Sequence, residues 1–325
     1  MGADVRREIS DKSVLVVGGA GFIGSHLAEA ILLHMPSKLI ILDNFFSSSP
    51  KNLQAISSVK SVEIIKDDAR DLAILQNIIE SHRVEIVFNC ATQALNYSFI
   101  NPKSAFDVNT KIALNLLELQ RRGMFKTLCH FSTSEVYGTA NSQKIKEDHP
   151  LKPTTPYAAG KLAADMAVLS YFQTFGLDCI ILRPFNNFGP RQNHKPPLAA
   201  IIPLSISRIL ANKPLEIQGD GMQSRDFIFV EDTAALTLKL FQTVEAGTEV
   251  NLTNEFEISI LDLVKLIRTK MTSEAEIIFT EKRPSDVKRH LGDSSLLNSI
   301  VEFNFTNFED GLTKTIDWYK EKLNG

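Results

Sequence analysis

Tyr157 and Lys161 are a candidate acid-base pair, because they are four residues apart in a segment that is predicted to form a helix. Thr155 is a suitable N-cap for that helix, and Pro156 is a suitable first residue. The spacing places the phenol and the ammonium on one helix face. A phenol ordinarily titrates at about pH 10, but a neighbouring cation favours the phenolate. Tyr157 can then exchange a proton with a substrate hydroxyl, although such pairs also occur by chance on exposed helices.

Residues 131–138, with the sequence FSTSEVYG, follow a predicted strand and carry two further polar candidates. Ligands of doubly wound sheets bind at the carboxyl ends of the strands, where this segment lies. Thr133 can hydrogen-bond the hydroxyl that loses its proton, and Glu135 offers a carboxylate base. Thr133 can equally cap a turn, and Glu135 can equally face solvent. We predict Thr133, Glu135, Tyr157 and Lys161 as the catalytic residues.

A glycine-rich turn, GGAGFIG, begins at Gly18 and connects the first predicted strand to a helix. Gly18 permits a tight turn, Gly21 lets the backbone approach a pyrophosphate, and Gly24 permits close packing of the helix on the sheet. The amides of Phe22 and Ile23 lie at the helix start, where the positive end of the dipole favours an anion. Glycines can serve turn geometry alone, but the strand before and the helix after are the context of a dinucleotide site.

Acidic residues end the second and third predicted strands. Asp43, followed by Asn44, lies about twenty residues beyond the glycines, where a carboxylate can accept hydrogen bonds from an adenosine ribose. The same carboxylate would repel a 2′-phosphate, so the sequence favours NAD over NADP. Asp68, followed by Ala69, is suitably placed to meet the adenine amino group. Each aspartate also has a simpler explanation, Asp43 as a turn former and Asp68 as a helix cap.

An alternation of strands and helices across the first half of the chain must position these residues. Short β-branched runs are separated by amphipathic stretches, an order that implies right-handed crossovers and helices on both faces of a parallel sheet. The predicted fold class is therefore α/β, with a doubly wound parallel sheet of the Rossmann type. The predicted strands are 13–17, 38–43, 62–66, 84–90, 126–132 and 177–183, and the predicted helices include 22–33, 71–82 and 104–122.

The regular alternation of strands and helices ends after Pro184, where a loop rich in Asn, Pro and Gly begins. The later segments are mixed and predict a smaller α+β part. We predict a dinucleotide-binding domain at 1–184, with 226–253 threading back into it, and a second domain at 185–225 and 254–325. The cleft between them is the expected ligand site. The strands predicted in this half are 215–218, 227–230 and 250–253, and the helices are 198–212, 231–243, 260–271 and 308–321.

Composition narrows the classes of function. A length of 325 residues suggests about two domains, and 44% apolar with 22% charged residues is ordinary for a folded globular protein. No apolar run approaches the roughly 20 residues that cross a bilayer. A net charge of −3 provides no basic field for a nucleic-acid backbone. We therefore expect no membrane and no nucleic-acid partner.

The cysteines and the chain start predict the compartment. Cys90, Cys129 and Cys179 are widely spaced in apolar segments, and the seven histidines are scattered. We expect reduced core thiols and no metal site. The first twelve residues are charged and lack the apolar run of a secretory signal. These features predict a cytoplasmic protein.

The motifs together resemble the extended short-chain dehydrogenase/reductase family, specifically its NAD-dependent nucleotide-sugar epimerases and dehydratases. The resemblance covers nearly the whole chain. It departs at residues 89–92, where Asn-Cys-Ala-Thr stands in place of the His-Leu-Ala-Ala type of sequence of many relatives. The motifs that carry the resemblance are residues 18–24, Asp43, Asp68, 132–138, 157–161, 183–191 (RPFNNFGPR), 225–227 (RDF) and 283–286 (RPSD).

This resemblance implies NAD as the cofactor and a nucleotide sugar, expected to be UDP-linked, as the substrate. The second domain would then be the nucleotide-sugar-binding domain. The family usually dimerises through two helices from each subunit, here 104–122 and 157–175, so we expect a homodimer. The implied cofactor-binding residues are Gly18, Gly21, Phe22, Ile23, Gly24, Asp43, Asn44, Asp68, Ala69, Tyr157 and Lys161. The implied substrate-binding residues are Ser134, Asn186, Arg191, Leu198, Arg225 and Arg283, the arginines because a guanidinium pairs well with phosphate.

A shared first step is also implied, in which Tyr157 removes the C4 hydroxyl proton of the sugar and hydride passes from C4 to NAD. Glu135 favours a 4,6-dehydratase, because a carboxylate there can remove the C5 proton, which a C4 epimerisation does not need. Ser134 stands where dTDP-glucose dehydratases usually have Asp, which weakens that particular substrate assignment. The alternatives are a UDP-sugar 4-epimerase, a UDP-glucuronate decarboxylase and, from a different class, a non-catalytic dinucleotide-binding scaffold or sensor.

Overall fold

The computed structural model describes residues 5–283, 285 and 287–324 of the 325-residue chain. Pro284 and Asp286, which belong to the motif at 283–286, lie outside the described residues. The strands are β1 (Ser13–Val17), β2 (Lys38–Asp43), β3 (Val62–Lys66), β4 (Ile86–Asn89), β5 (Thr127–Phe131), β6 (Asp178–Pro184), β7 (Asn186–Phe188), β8 (Leu215–Gln218), β9 (Ser224–Phe229), β10 (Glu249–Leu252), β11 (Glu257–Ser259), β12 (Ile277–Thr280) and β13 (Arg289–His290). The α-helices are α1 (Phe22–Leu32), α2 (Leu72–His82), α3 (Leu95–Ser98), α4 (Pro102–Arg121), α5 (Pro156–Phe175), α6 (Ile201–Leu210), α7 (Val230–Thr243), α8 (Ile260–Lys270), α9 (Ser295–Ile300) and α10 (Phe308–Asn324).

A seven-stranded sheet with the order β10-β6-β5-β4-β1-β2-β3 is the centre of the fold. All of its neighbouring strands are parallel. The chain runs from β1 to β2 and β3 on one side and then to β4, β5 and β6 on the other, so the winding direction reverses between β1 and β4. Such a switch point is where doubly wound sheets bind ligands. The predicted α/β fold with a doubly wound parallel sheet is confirmed.

Apolar layers cover both faces of this sheet, as a buried parallel sheet requires. Alternate residues of β1 enter opposite layers, with Val14 and Val16 in one and Leu15 and Val17 in the other. The first layer contains α1 and α7, and the second contains α2, α4 and α5. The sheet therefore holds the carboxyl ends of β1, β4 and β5 at fixed positions along one edge.

The second half of the chain builds two smaller sheets. One has the order β11-β9-β13 with β7 paired to β9, and the other pairs β12 with β8. Ring contacts among Phe188, Phe227, Phe229 and Phe308 form the centre of a separate core. The strand β7 lies in the stretch that we expected to be loop, and this corrects that expectation.

The segment predicted to return to the first domain, 226–253, is shared between the two parts. The strand β10 pairs with β6 at the edge of the large sheet, and α7 packs in the layer of α1. The strand β9, in contrast, belongs to a small sheet. The domain division itself stays a prediction.

Within the described residues, no helix combines the length and the apolar character that crossing a bilayer requires.

Candidate active site

A cavity of about 1290 Å³ opens at the carboxyl ends of β1, β4 and β5. Cavities for one drug-sized ligand are usually about 300–1,000 Å³, so this cavity has room for two ligands side by side. All but one of the predicted site residues line it: Gly18, Gly21, Phe22, Ile23, Gly24, Asp43, Asn44, Asp68, Ala69, Thr133, Glu135, Tyr157, Lys161, Asn186, Arg191, Leu198, Arg225 and Arg283. Ser134 is the exception.

The glycine turn forms one end of the cavity. Gly18 has φ +74°, and a Cβ there would lie 2.6 Å from the Cα of Ala91, at the end of the neighbouring strand. A Cβ on Gly24 would collide with the carbonyl oxygen of Gly18. The helix α1 then begins with Gly21 as N-cap and has no side-chain cap. Its first amides are therefore available to an anion at the positive end of the helix dipole.

Asp43 fixes the loop after β2 against the glycine turn. Its Oδ2 accepts a hydrogen bond of 3.0 Å from the amide of Ala20, and its Oδ1 accepts bonds of 2.8 Å from the amide of Phe45 and the hydroxyl of Ser48. Each carboxylate oxygen has more than one lone pair, and Asp43 borders the cavity. This environment suits a ribose diol.

Asp68 lies beside Asn44 at the same end of the cavity. The side-chain amide of Asn44 donates to Asp68 Oδ2 at 3.2 Å, and Arg70 forms an ion pair with the carboxylate at 2.6 Å. Hydrogen bonding to Arg70 lowers the pKa of Asp68 to about 2. The carboxylate therefore stays ionised and can accept a hydrogen bond at neutral pH.

Tyr157 and Lys161, the predicted acid-base pair, are positioned by the start of α5. Thr155 is the N-cap and accepts a hydrogen bond of 3.2 Å from the amide of Ala158, while Pro156 is the first helical residue, as predicted. Lys161 is only 2% exposed. Burial lowers the pKa of Lys161 to about 8, against the attraction of the Asp165 carboxylate.

Tyr157 is not made acidic by the chain itself. Burial raises the pKa of its phenol to about 12, and the charges of Glu135 and Asp165 act in the same direction. Hydrogen bonds with Thr133 and Thr92 oppose this rise. The expectation that Lys161 would favour the phenolate is therefore outweighed by burial, and a further positive charge is needed beside Tyr157.

Thr133 and Glu135 lie in a tight turn after β5. Thr133 caps a short 3₁₀ helix at Ser134–Tyr137, and its hydroxyl accepts a hydrogen bond of 3.2 Å from the amide of Glu135. Glu135 is 9% exposed and borders the cavity. The solvent-facing alternative for Glu135 is thus wrong, while Thr133 both caps a turn and contacts Tyr157.

Ser134 points away from the cavity. Its Oγ lies 3.5 Å from Nδ1 of His290 in the interior. The predicted substrate contact of Ser134 has no support in this position, because alternate residues of the turn face opposite ways.

The other residues predicted to bind substrate border the cavity, and Arg191 also forms an ion pair of 2.6 Å with Glu29 of α1. The side-chain nitrogen of Asn186 and one terminal nitrogen of Arg191 are buried and have no hydrogen-bond partner among the described residues. Arg225 donates from Nη1 to the carbonyl of Val287 at 2.6 Å, and Arg283 donates to Asn96 Oδ1 at 3.1 Å. Leu198 adds apolar surface. These donors suit an anionic ligand such as a diphosphate.

Sequence reasoning missed three residues of the site. Thr92 contacts Tyr157 and lies within the 89–92 segment that differs from many relatives. Asp165 accepts hydrogen bonds from Ser132 at 2.8 Å and Arg183 at 3.1 Å, and its position four residues after Lys161 was a usable signal. His290 gave no sequence signal, because it lies more than 150 residues from the turn that it contacts. Among the described residues, no cluster of His, Cys, Asp or Glu could hold a metal ion.

A glycine-rich turn and a buried tyrosine–lysine pair that border one cavity at the switch point are typical of a class of protein, the short-chain dehydrogenases/reductases that use a nicotinamide cofactor. Comparison with known proteins agrees. The model of the NAD dependent epimerase/dehydratase family matches residues 14–254. The chain belongs to this family, and it is an NAD-dependent enzyme.

Individual relatives include both dehydratases and epimerases. The chain is 30% identical to the dTDP-D-glucose 4,6-dehydratase of Bos taurus over 322 residues, 96% of this chain and 90% of that protein. It is similar to a UDP-N-acetylglucosamine 4-epimerase structure from Methanobrevibacter ruminantium M1, with 32% identity, a TM-score of 0.88 and coverage of 96% and 99% of the two chains. A dTDP-glucose 4,6-dehydratase structure from Streptomyces venezuelae, solved with NAD bound, gives 26% identity, a TM-score of 0.90 and coverage of 96% and 98%.

Proposed function

We propose that the protein is a 4,6-dehydratase of a nucleotide-linked hexose, expected to be UDP-linked, that works through a 4-keto sugar. One observation carries the choice of reaction. The carboxylate of Glu135 lines the same cavity as Thr133 and Tyr157, so a second base is available beside the first. The dTDP-D-glucose 4,6-dehydratase relatives support the same choice.

The residues of the cavity suit NAD. A side chain at Gly18 or Gly24 would collide with nearby backbone atoms. Glycine at these positions therefore leaves the backbone amides open to a pyrophosphate. Asp43 would hold the adenosine ribose, and Asp68 with Ala69 would border the adenine. NAD bound here would accept a hydride from C4 of the sugar and later return it to the sugar.

Tyr157 would take the proton of the C4 hydroxyl in the first step. Its pKa is about 12, and a nicotinamide cation bound nearby would lower it, because a positive charge favours the phenolate. Thr133 would orient the C4 hydroxyl, and the buried ammonium of Lys161 would add positive charge. Bound NAD would therefore favour the deprotonation of Tyr157.

Glu135 would carry the second step. Oxidation at C4 acidifies the C5 proton, and the carboxylate removes it while the electron pair enters the enolate of the 4-ketone. The C6–O bond then breaks, and the hydroxyl leaves as water after it gains a proton. Asn186, Arg191, Arg225 and Arg283 would hold the diphosphate and nucleotide, so that only the hexose reaches Glu135.

A 4-epimerase is the second candidate, and Ser134 favours it. With Ser134 turned into the interior, the turn provides no separate acid for the C6 hydroxyl. The epimerase from Methanobrevibacter ruminantium M1 is similar to this chain over nearly its whole length. A UDP-glucuronate decarboxylase, which would also work through a 4-keto sugar, is the third candidate.

Product analysis in deuterated water separates these reactions. The protein is incubated with UDP-glucose, UDP-N-acetylglucosamine, UDP-glucuronate and dTDP-glucose, and products are followed by NMR. We expect a 4-keto-6-deoxy sugar with deuterium at C5. Inversion at C4 without deuterium at C5 would replace the dehydratase with an epimerase, and tight NAD binding without reaction of any sugar would favour the scaffold.

Glu135→Gln supplies the residue-level test. It should abolish C5 exchange and preserve C4 oxidation, which is seen as reduced-nicotinamide absorbance. Glu80→Gln, on the exposed face of α2, is the control for loss of one glutamate.

We further propose a homodimer formed through α4 and α5. Phe106 and Leu114 on α4 and Met166 on α5 are 39%, 41% and 42% exposed, and a dimer formed through these helices would cover such apolar side chains. Light scattering should give twice the chain mass for the wild type and the single mass for Leu114→Glu.

The three unpaired cysteines support the further proposal that the enzyme works in the reducing cytoplasm.

A further inference from the structure

Glu135 has a buried titratable neighbour that the reaction proposed above does not use. Oε1 of Glu135 lies 4.0 Å from Nδ1 of His290, and the side chain of His290 is completely buried. His290 belongs to β13, which pairs with β9. The second half of the chain therefore delivers an imidazole to the back of the catalytic turn.

The contact with Gly138 fixes which nitrogen of His290 carries hydrogen. Nε2 lies 3.0 Å from the carbonyl oxygen of Gly138, and a carbonyl only accepts, so Nε2 donates. In the neutral ring the lone pair is then on Nδ1, which faces Glu135 and the hydroxyl of Ser134. Gly138 has φ +67°, and a side chain there would collide with the carbonyl of Lys152, so the direction of its own carbonyl is firmly set.

The groups around His290 keep the ring neutral. Burial is the main cause that lowers its pKa, the charges of Arg225 on β9 and of His149 act in the same direction, and Glu135 opposes them. The ring of Phe185 packs against it at a centroid distance of 5.7 Å. The lone pair of a neutral Nδ1 can therefore accept a hydrogen bond from Glu135 once that carboxylate carries a proton.

We propose that His290 is a positioning residue that holds, through Nδ1, the proton that Glu135 removes from C5 of the sugar. This role rests on the proposed dehydration. When the C5–H bond breaks, its electron pair enters the enolate, and the proton is bound between the Glu135 carboxylate and Nδ1. The same proton leaves with the C6 hydroxyl as water when the C6–O bond breaks. The hydride would return from the cofactor to C6, C5 takes a proton from solvent, and Tyr157 releases the C4 hydroxyl proton to solvent. Water is then the only by-product, and the pair replaces an acid at position 134.

The 4.0 Å separation is compatible with this role. Catalytic hydrogen bonds are often long before the substrate binds and shorten when a proton is shared. His290 does not border the cavity, so it acts through Glu135 and has no contact with the sugar.

His290→Gln tests the role, because glutamine can still donate to Gly138 but has no acceptor at the Nδ1 position. We expect C5 exchange into solvent to slow by at least ~10-fold, while C4 oxidation and NAD affinity change by less than about twofold. The pH profile of C5 exchange should differ in midpoint from that of the wild type, while the pH profile of C4 oxidation should not, because His290 acts only in the second step. His290→Phe keeps the packing on Phe185 and should behave in the same way. His82→Gln on α2 is the control histidine.

Three outcomes overturn the role. Exchange rates and midpoints equal to wild type in both variants mean that His290 holds no proton. A loss that is the same at every pH, that includes C4 oxidation and that accompanies a lower melting temperature means a structural role only. If the wild type oxidises C4 without any C5 exchange, the proposed dehydration fails first, and this result is distinguishable because it appears without any substitution.

Discussion

Lys161 donates a hydrogen bond of 2.8 Å from Nζ to the backbone carbonyl of Phe131, the last residue of β5. This bond joins the first turns of α5 to the strand that ends immediately before the Thr133 turn. The ammonium is thereby held at the end of β5 and cannot swing into solvent. The acid-base groups of α5 and of the turn consequently keep one relative position, which proton transfer requires.

Tyr157→Phe should abolish C4 oxidation and leave NAD affinity within about threefold of wild type. In the proposed mechanism the phenol takes the C4 hydroxyl proton, and general acid-base groups contribute about 10²–10⁴-fold to rate. Stopped-flow absorbance of reduced nicotinamide measures the oxidation, and calorimetry measures NAD binding. Tyr171→Phe, further along α5, is the control. Oxidation by the Phe variant at more than about a tenth of the wild-type rate would remove Tyr157 from this role.

Asp165→Asn should weaken both the lysine and the fold. The Asp165 carboxylate raises the pKa of Lys161 against burial. In the variant this pKa falls, so the variant loses more of its ammonium, relative to wild type, at pH 8 than at pH 6.5. C4 oxidation should therefore fall more at pH 8 than at pH 6.5. The variant also removes one partner of the buried Arg183, which should lower the free energy of unfolding by about 3 kcal/mol. Urea titrations and rates at the two pH values check both effects, and equal losses at both would refute the charge argument. Asp107→Asn, at an exposed ion pair of α4, is the control.

The sequence predicted the large sheet well, because its strands are continuous apolar runs with clear ends. The predicted bounds 13–17, 38–43 and 62–66 are those of β1, β2 and β3. The elements that were not predicted, such as β7, β13 and α9, have two to six residues. A hydrophobic period cannot be recognised over so few positions.

The site was predictable where motifs are local and unpredictable where the fold joins distant segments. The glycine turn and the Tyr157–Lys161 pair are short, and their residues line the cavity together. The direction in which the Ser134 side chain points depends on a single turn of 3₁₀ helix. The residue types of the segment do not predict the geometry of this turn. The contact of His290 with that turn depends on the pairing of β13 with β9, which no local pattern reveals.

Gly18→Ala should weaken NAD binding by at least ~10-fold and lower the free energy of unfolding. The residue has φ +74°, and the new methyl group would lie 2.6 Å from Ala91 Cα, so both backbone strain and a collision arise. Gly123→Ala is a matched control, since Gly123 has φ +75° but nothing within 4 Å of a Cβ. The control should lose about 1 kcal/mol, and Gly18→Ala should lose clearly more. Urea unfolding and calorimetry would compare them, and equal losses would show that the contact with Ala91 does not matter.

Arg283→Met should raise the KM for the nucleotide sugar by about 10-fold with kcat within about threefold. The guanidinium borders the cavity beside Asn96 and over the ring of Phe99, and a hydrogen bond between charged groups contributes about 1.5–3 kcal/mol. NAD affinity should not change, because Asn96 and Phe99, beside which Arg283 lies, are not part of the glycine turn. Steady-state kinetics test this, with Arg268→Met on α8 as the control. A lower kcat with an unchanged KM would assign Arg283 to the chemical step instead.

Asp226→Asn should change how stability depends on pH. Burial raises the pKa of Asp226 from 3.8 to about 7, against hydrogen bonds from Thr253 and the amide of Gly292. Between these two values the folded chain binds a proton that the unfolded chain has released, so the stabilising contribution is complete below pH 3.8 and is lost as the pH rises towards 7. Asparagine is neutral throughout. Relative to wild type, the variant should therefore gain about 1–3 kcal/mol of unfolding free energy between pH 5 and pH 8. Urea unfolding at both pH values measures this gain, with the exposed Asp317→Asn as control, and a difference that does not vary with pH would mean that Asp226 is ionised in the folded chain.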